Sequence, residues 1–253
     1  MSKSKNILFS YSLFILALIV VSSVSCKKKT ETPAQETGTV TDVDNNTYKT
    51  VKIGNQWWMA ENLHVKHYRN GKIITLFDNH GSYPDSLWAQ TTTGACCIFG
   101  GAEAADPLYG LLYNWYAVND TNIIAPAGWH VPSDDEWKTL EKYLGMSQAD
   151  ADNVKWRGSD EGDKLKIQAP ADWQKGNGWG TNTSGFTATA GSCRLFNAAW
   201  GDMGTSVTGF WWSTTIHISD NQVWYRYLDH NNSNVFRYHA SKNYGMSIRC
   251  VKD

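Results

Sequence analysis

The chain carries almost no excess charge of either sign. Its 23 lysine and arginine residues nearly balance its 24 aspartate and glutamate residues, which gives a formal net charge of -1 at pH 7 and a pI of 6.6. No block of basic residues occurs after residue 38. Proteins that bind nucleic acid need concentrated positive charge to neutralise phosphates. The sequence therefore predicts that nucleic acid is not a partner.

The chain also lacks the short motifs that mark common catalytic and metal sites. Gly-x-Ser-x-Gly, the P-loop and His-Glu-x-x-His are absent, and so are the Cys-x-x-Cys pairs and cysteine–histidine spacings typical of zinc sites. Three consecutive acids, Asp134, Asp135 and Glu136, are explained by the dipole at a helix N-terminus. We therefore expect a protein that is not an enzyme, with no catalytic residue, metal or cofactor.

The longest apolar run lies at the N-terminus and ends shortly before a cysteine. Lys3 and Lys5 precede an apolar stretch over residues 7–21, and small residues then lead to Cys26. This order is typical of a secretory signal and not of a retained membrane helix. The Ser-Val-Ser sequence before Cys26 resembles a bacterial lipobox, with Ser23 at the position where leucine is usual.

We expect residues 1–25 to be a removed signal peptide and Cys26 to carry lipid. Acyl chains on Cys26 would attach the protein to a membrane of the cell envelope, as an outer-membrane lipoprotein on the surface or the periplasmic face. The alternative is an ordinary cleaved signal with an incidental cysteine. Residues 26–38 contain no large apolar side chain, which predicts a solvated tether. A single domain is expected over residues 39–253.

Four further cysteines follow Cys26. Export to an oxidising compartment permits disulfides, and four cysteines allow three pairings. Adjacent cysteines such as Cys96 and Cys97 rarely pair with each other. Because Cys193 and Cys250 both lie in strand-like segments, we expect these two to form a disulfide.

Aromatic residues are abundant, with 13 tryptophans and 12 tyrosines. Rings at this density indicate either a core packed with large side chains or an aromatic binding surface. Because large rings bury well, we expect the core to account for most of them.

Local signals predict both strands and helices. Residues 39–43 and 48–53 read as strands on either side of a polar turn. The turn matches the Asp-x-Asp-x-Asn opening of a calcium loop but lacks the glycine and the final glutamate of that loop, so a hairpin is the preferred interpretation. A capping box of Ser133 and Glu136 predicts the start of a helix.

A strand-like segment near the C-terminus alternates in a way that defines two faces. Trp224, Arg226 and Leu228 fall on one face, whereas Tyr225 and Tyr227 fall on the other. Strand-like segments also lie before it, at residues 209–213, and after it, at residues 235–239. Residues 230–234, which are rich in asparagine, form a polar connector to the later segment.

Five sequence blocks, taken in order, resemble one protein family. The first is Tyr-Lys-Thr-Val-Lys-Ile-Gly-Asn-Gln-Trp-Trp-Met-Ala-Glu-Asn-Leu at residues 48–63, and the second is Gly-Trp-His-Val-Pro-Ser-Asp-Asp-Glu-Trp at residues 128–137. The others are Gly-Phe-Thr-Ala at 185–188, Phe-Trp-Trp-Ser-Thr-Thr at 210–215, and Tyr-Gly-Met-Ser-Ile-Arg-Cys-Val-Lys-Asp at 244–253. Together they are similar to the Fibrobacter succinogenes major paralogous domain, which is common in envelope proteins of Bacteroidetes and Fibrobacteres.

This resemblance implies a fold similar to that of C-type lectins, and especially to their formylglycine-generating branch. Such a fold is α+β, with a small curled antiparallel sheet, two main helices and long loops. Relatives often carry a cysteine before the Pro-x-Gly-Trp turn, where this chain has Ala125, so a disulfide from that site to Cys250 is not available. The family implies no activity that can be assigned residue by residue.

The implied fold points to a binding or adhesion module whose ligand is a glycan or a protein. Aromatic rings stack on sugar faces, and amide or carboxylate groups bond sugar hydroxyls. For each ring the alternative is core packing, and for each Asn or Asp it is turn formation. The candidate ligand-binding residues are Trp200, Asp202, Trp224, Tyr225, Tyr227, Asp229, Asn231, Asn232 and Asn234.

Two other functions stay open. A structural or assembly lipoprotein would dock its domain on another envelope protein, and an exposed apolar patch would favour that function. An enzyme related to formylglycine-generating enzymes would need a reactive cysteine pair near the C-terminal end of the fold, where only Cys250 lies. The Glu-Pro-Asn and Trp-Asn-Asp triplets of calcium-dependent sugar-binding lectins are absent, which disfavours a calcium-dependent sugar site.

Overall fold

The computed structural model describes residues 35–77, 85–99, 109–168, 173, 180–201 and 207–253. The signal peptide, the lipid site at Cys26 and most of the tether lie outside these residues, so the statements about them stay predictions. The described residues from Gln35 to Asp253 belong to one compact unit. None of the helices in these residues combines the length and the apolarity that a membrane span needs.

Strands and short helices occur together, so the protein belongs to the α+β class, as predicted. The strands, in chain order, are β1 (Thr37–Thr41), β2 (Thr47–Ile53), β3 (Gln56–Met59), β4 (Thr75–Phe77), β5 (Ala95–Ile98), β6 (Leu111–Tyr113), β7 (Trp129–His130), β8 (Lys155–Arg157), β9 (Thr208–His217), β10 (Gln222–Asp229), β11 (Val235–Ala240) and β12 (Val251–Lys252). The helices are α1 (Asp85–Gln90), α2 (Trp115–Val118), α3 (Asp134–Tyr143), α4 (Gln148–Asp152) and α5 (Glu161–Leu165).

The strands of the described residues form three sheets. The five-stranded sheet has the order β1-β2-β3-β12-β7, so early strands lie beside the last strand. The four-stranded sheet has the order β8-β11-β10-β9 and is antiparallel throughout. The third sheet, β4-β5-β6, contains one parallel pair, β4 with β5. The predicted curled antiparallel sheet is therefore confirmed, but it is accompanied by two further sheets.

Two main helices are predicted, but only α3 is long in the described ranges. This helix has ten residues, whereas the other helices in the described ranges have four to six. A second amphipathic stretch in the sequence, residues 147–157, forms only the five-residue α4. The chain turns at Lys155, whose φ of 66° is incompatible with a right-handed helix, and continues as β8.

The turn between β1 and β2 is a hairpin built on one carboxylate. Asp42 Oδ1 accepts hydrogen bonds from the backbone N–H groups of Asp44 (2.9 Å) and Asn46 (3.0 Å). Its Oδ2 accepts from the Asn46 amide (2.9 Å) and from the Tyr48 hydroxyl (2.6 Å). The carboxylate of Asp42 is thus committed to the turn, which supports the hairpin interpretation over the calcium loop.

The start of α3 is the capping box that the sequence predicts. Ser133 Oγ accepts a hydrogen bond from the Glu136 backbone N–H (3.2 Å), and Glu136 Oε2 accepts one from the Ser133 backbone N–H (2.7 Å). Glu136 Oε1 also lies 2.7 Å from His130 Nε2, and His130 Nδ1 lies 2.6 Å from Asp253 Oδ1. The helix start is therefore tied through His130 to β7 and to Asp253.

Most tryptophans lie in the interior, as predicted. One core gathers residues from β2, β3, α3, β9 and β10, and in it the rings of Trp58 and Trp137 have centroids 4.9 Å apart. This core fills the space between α3 and two of the sheets. Of the 12 tryptophans in the described residues, eight are buried, namely Trp58, Trp88, Trp115, Trp129, Trp137, Trp173, Trp211 and Trp212.

A buried ion network holds α3 against the four-stranded sheet. Its acids, Asp134 and Glu141, come from α3, and its arginines come from β8, β10 and β11. Arg226 Nε lies 2.6 Å from Glu141 Oε1, and Arg226 Nη1 lies 2.8 Å from Asp134 Oδ1. Arg237 Nη2 lies 2.7 Å from Asp134 Oδ2, and Arg157 Nη2 lies 2.8 Å from Glu141 Oε2.

The members of this network are almost inaccessible to water. Glu141 is fully buried, and Arg237 has the highest exposed fraction of the five, at 5%. Burial alone would raise the pKa of Asp134, but hydrogen bonds from Arg237 and the charge of Arg226 lower it below its usual value. Because a buried charge is costly unless it is paired, each member depends on the others being in place.

Removal of one acid from the network should destabilise the protein strongly. Glu141→Gln leaves Arg157, Arg226 and Arg237 with one carboxylate, and breaking a buried ion pair costs about 3–5 kcal/mol. The matched control is Glu36→Gln, because Glu36 pairs with Lys52 at the surface (2.6 Å), where a pair contributes about 1 kcal/mol or less. Urea unfolding measures both losses, and equal losses would contradict this role of the network.

The contacts of His130 should make stability depend on pH. Partial burial by itself lowers the pKa of His130, but hydrogen bonds to Asp253 and Glu136 raise it above its usual value. A raised pKa stabilises the folded state below the unfolded value of about 6.5, and this contribution is lost as the pH rises through the folded pKa. We therefore expect His130→Gln to cost more stability at about pH 5.5 than at about pH 9.

An NMR titration of His130 tests the same contacts directly. The midpoint in the wild type should lie above about 6.5. It should fall in Glu136→Gln, because that change removes one negative partner while glutamine keeps the capping function. A wild-type midpoint at or below the usual value would contradict the raised pKa.

Candidate functional site

The four-stranded sheet presents two unlike faces. Toward α3, β10 carries Arg226 and Leu228, and β11 carries Arg237. Tyr225 and Tyr227 alternate with these residues and lie on the opposite face, as the sequence predicts. The face directed away from α3 is therefore the aromatic one.

One row of rings on this face crosses all four strands. Phe210 of β9 is opposite Tyr227 of β10, Tyr227 is opposite Phe236 of β11, and Phe236 is opposite Trp156 of β8. Successive ring centroids along the row are 4.6, 5.5 and 5.1 Å apart. We call Phe210, Tyr227, Phe236 and Trp156 the aromatic row.

The aromatic row is partly exposed, whereas the neighbouring row of Trp212, Tyr225 and Tyr238 is fully buried at its Trp212 end. Trp156 is 38% exposed, and the other three rings are partly buried. In the neighbouring row, Trp212 is fully buried and donates a hydrogen bond from Nε1 to the backbone carbonyl of Tyr113 (2.8 Å). A large ligand can therefore contact the aromatic row but cannot reach Trp212.

A groove of about 360 Å³ lies at the other end of this neighbouring row. Tyr225, Tyr238, His239 and Tyr244 contribute to its walls. Burial raises the pKa of Tyr225 and also that of Tyr244, so both phenols stay protonated at neutral pH and can donate hydrogen bonds. The groove therefore adds polar donors to the same side of the sheet.

Three of the predicted ligand-binding residues meet on this side. Tyr227 belongs to the aromatic row, and Tyr225 lies in the row beside it. The Tyr227 hydroxyl donates a hydrogen bond to Asp229 Oδ2 (2.6 Å). Asp229 thus places a carboxylate at the end of β10 next to the ring of Tyr227.

The three predicted asparagines form the connector between β10 and β11. The backbone N–H of Asn231 donates to Asp229 Oδ1 (2.7 Å), and that of Asn234 donates to Asn232 Oδ1 (3.1 Å). The side-chain amide of Asn234 donates to the backbone carbonyl of Gly158 (2.6 Å). These bonds support turn formation, which was the alternative to ligand binding for this type of residue.

The remaining predicted residues lie elsewhere. Trp224 is on the face toward α3, where the Arg237 guanidinium carbon is 3.6 Å from its ring centroid. Trp200 packs in a separate core, with its ring centroid 5.9 Å from that of Phe99. Asp202 lies outside the described residues. The structure therefore does not bring Trp200 or Trp224 to the aromatic row.

A model of one family covers most of the chain. The Fibrobacter succinogenes major domain matches residues 51–252. The chain belongs to this family. Among curated proteins and solved structures, nothing matches it. The resemblance inferred from five sequence blocks is thus confirmed at the level of the family.

Blocks that carry the family resemblance meet at one buried side chain, Asn62. Its Oδ1 accepts hydrogen bonds from Trp211 Nε1 (3.0 Å) and from Arg249 Nε (2.8 Å). Its Nδ2 donates to the backbone carbonyl of Tyr109 (2.8 Å) and lies 3.3 Å from Ser247 Oγ. Asn62 belongs to the first block, Trp211 to the fourth, and Arg249 and Ser247 to the last. These parts of the family pattern therefore serve the fold.

Arg249 extends the same network to the third block. It donates to the backbone carbonyls of Phe186 and Thr187, the latter at 2.8 Å, and its guanidinium carbon lies 4.4 Å from the Phe186 ring centroid. Burial lowers the pKa of Arg249 to about 9, which leaves it charged at neutral pH. Its contacts are structural, and we do not assign it to ligand binding.

The predicted disulfide between Cys193 and Cys250 is not present in the structure. Cys250 is a buried free thiol, and burial raises its pKa. Its backbone carbonyl accepts a hydrogen bond from Met59, whereas that of Cys193 accepts one from Gly201. The two residues line one core but are held by different backbone pairings. A strand-like sequence around each cysteine does not determine their separation, which a disulfide requires.

Four rings near the site are absent from the residues predicted to bind ligand. They are Trp156, Phe210, Phe236 and Tyr238. The alternation used for β10 could have placed Phe236 and Tyr238 on one face of β11. The alignment of Trp156 with Phe210 across four strands depends on register, and sequence alternation carries no register.

A substitution in α5, which packs against the connector, should show that the connector is a fixed part of the fold. A Cβ added at Gly162 in α5 would lie 2.4 Å from the Asn234 carbonyl oxygen and 2.7 Å from that of Ser233. We expect Gly162→Ala to cost about 1–3 kcal/mol, because backbone atoms must move to admit the methyl group. Thermal unfolding measures the cost.

The control for this substitution is Gly191→Ala. A Cβ at Gly191 would make ordinary contacts, the nearest at 3.4 Å from Tyr109 Cβ. We expect the two variants to differ clearly in stability. Full stability of the Gly162 variant would mean that the connector adapts, and that its asparagines are not fixed as described.

Proposed function

We propose that the protein is a lipid-anchored binding module of the bacterial cell envelope, and that it is not catalytic. Its ligand is a glycan, which it contacts through the aromatic row. The observation that carries this proposal is the registration of Phe210, Tyr227, Phe236 and Trp156 across four strands, on the face directed away from α3. Partly exposed rings in a continuous row are typical of a binding surface.

The dimensions and the polar neighbours of the row support a sugar ligand. Three inter-strand spacings give the row a length of roughly 14 Å, which suits a short oligosaccharide. Sugar rings combine apolar C–H faces with hydroxyl edges, so they need aromatic rings beside hydrogen-bonding groups. Asp229 and the hydroxyl of Tyr227 supply such groups next to the row.

We further propose that the fold is C-type-lectin-like. Support comes from the pairing of β3 with β12, which joins early and late parts of the chain. The capped helix α3 packed against an antiparallel sheet gives further support. Long stretches without regular structure between these elements are also expected of that fold.

The anchor completes the proposed function. The apolar run before Cys26 and the polar stretch of residues 26–38 support export, lipidation and a tether. A lipid on Cys26 would hold the module at the outer membrane, on the surface or the periplasmic face. Such a placement brings the aromatic row within reach of envelope or external glycans.

A glycan array probed with the purified, folded protein tests the ligand, with and without calcium. We expect reproducible binding that does not need calcium. Tyr227→Ala should weaken binding about tenfold or more, because lost ring stacking of about 1.4 kcal/mol corresponds to that factor. Tyr227→Phe keeps the ring and should retain most of the affinity.

The control is Tyr143→Ala, which removes a ring of α3 that is 65% exposed. This variant should bind like the wild type. Circular dichroism and melting temperature establish that each variant is folded. A blank array from folded protein would refute the glycan ligand and favour docking of a protein on the aromatic row. Binding that survives Tyr227→Ala unchanged would refute the proposed location.

A further inference from the structure

Two histidines stack at the end of the β9–β10 hairpin. His217 ends β9, and His239 comes from the neighbouring part of β11. Their rings are parallel within 3°, with centroids 4.0 Å apart. Asp220 lies in the tight turn of the hairpin. Residues from β9, from β11 and from the turn between β9 and β10 therefore come together.

The facing nitrogens of these rings are surrounded by oxygen atoms. Asp220 Oδ1 lies 2.9 Å from His217 Nδ1, and Asp220 Oδ2 lies 3.1 Å from His239 Nδ1. Ser219 Oγ is 3.0 Å from His217 Nδ1, and Gln222 Oε1 is 2.8 Å from His239 Nδ1. One carboxylate thus bridges both Nδ1 atoms, with another oxygen beside each.

Hydrogen bonds from ring N–H groups alone do not satisfy all of these nitrogen and oxygen atoms. A ring nitrogen carries at most one hydrogen, yet His239 Nδ1 faces both the Asp220 carboxylate and the Gln222 carbonyl oxygen. A single divalent cation among these atoms would satisfy the nitrogens and the oxygens at once.

We propose that His217 Nδ1, His239 Nδ1 and a carboxylate oxygen of Asp220 bind one divalent transition-metal ion, with Zn²⁺ as the representative ion. Two imidazoles and one carboxylate form a donor set that zinc accepts, and they leave a fourth position for water or a ligand. The three ligand atoms lie within 4.8 Å of one another. Both histidines are partly exposed and Asp220 is exposed, so their side chains have room to rotate toward an ion.

The surroundings favour an ordered site. Trp224 stands edge-to-face against both imidazoles, with ring centroids 4.8 Å from His217 and 5.4 Å from His239. The nearby charge of Arg237 is offset by its pairing with Asp134. Trp224, which is not on the aromatic row, therefore has a role as the wall that fixes the orientation of the two ligands.

This site is independent of the proposed glycan function. It lies at the hairpin end, and one of its ligands, His239, also lines the groove beside the aromatic row's neighbour, together with Gln222. The sequence did not predict it, because His217 and Asp220 join His239 only through the pairing of β10 with both neighbours. Binding of the metal is measured without any sugar, so the two proposals succeed or fail separately.

Calorimetric titration with Zn²⁺ of the purified protein, without a histidine tag, tests the site. We expect one ion per chain. His217→Gln and His239→Gln should each weaken binding about tenfold or more, because each removes a ligand. NMR signals of the His217 and His239 rings should shift on adding zinc. Asp220→Asn, which keeps the size of the side chain, should also weaken binding.

The control is His67→Gln. His67 forms a pair with Asp44, at 2.6 Å, but among the described residues it belongs to no cluster of three possible metal ligands, so this variant should bind zinc like the wild type. Melting temperatures establish that every variant is folded. Three results would overturn the proposal: no binding at about 1 mM Zn²⁺, unchanged binding in both histidine variants, or an equal loss in the control.

Discussion

The pairing of two carboxylates of α3 with three arginines of the four-stranded sheet is the constraint on which the rest of the structure depends. Asp134 and Glu141 are buried, so they need the arginines for charge balance, and the arginines need them. This demand fixes which face of the sheet packs on α3. The aromatic row is consequently directed to the other face, so the position of the candidate binding surface follows from the position of the buried charges.

A second buried network, centred on Asn62, joins parts of the chain that the first does not reach. Its amide accepts from Trp211 and Arg249 and donates to the backbone of Tyr109. The sequence blocks that contain these residues are therefore explained by packing and hydrogen bonding within the fold. A family pattern of this kind identifies a fold, whereas the proposed ligand contacts include residues outside the five blocks, such as Trp156 and Phe236.

Both proposed sites arise at the four-stranded sheet, and both depend on strand register. The aromatic row needs four strands aligned so that single rings fall opposite one another. The histidine–aspartate cluster needs the β9–β10 hairpin to end beside His239. A shift of one residue in either pairing would move these side chains to the opposite face. The sheet is therefore the element that assembles the functional groups, and the buried networks keep it in place.

Short-range interactions made several features predictable from the sequence alone. The capping box of Ser133 and Glu136, the hairpin built on Asp42 and the two faces of β10 each involve residues a few positions apart, so local geometry determines them. The partners of Asp134, the separation of Cys193 from Cys250, and the meeting of His217 with His239 join distant positions. Only the tertiary structure decided these, because strand register and the packing of α3 are set by the whole core and not by any local pattern.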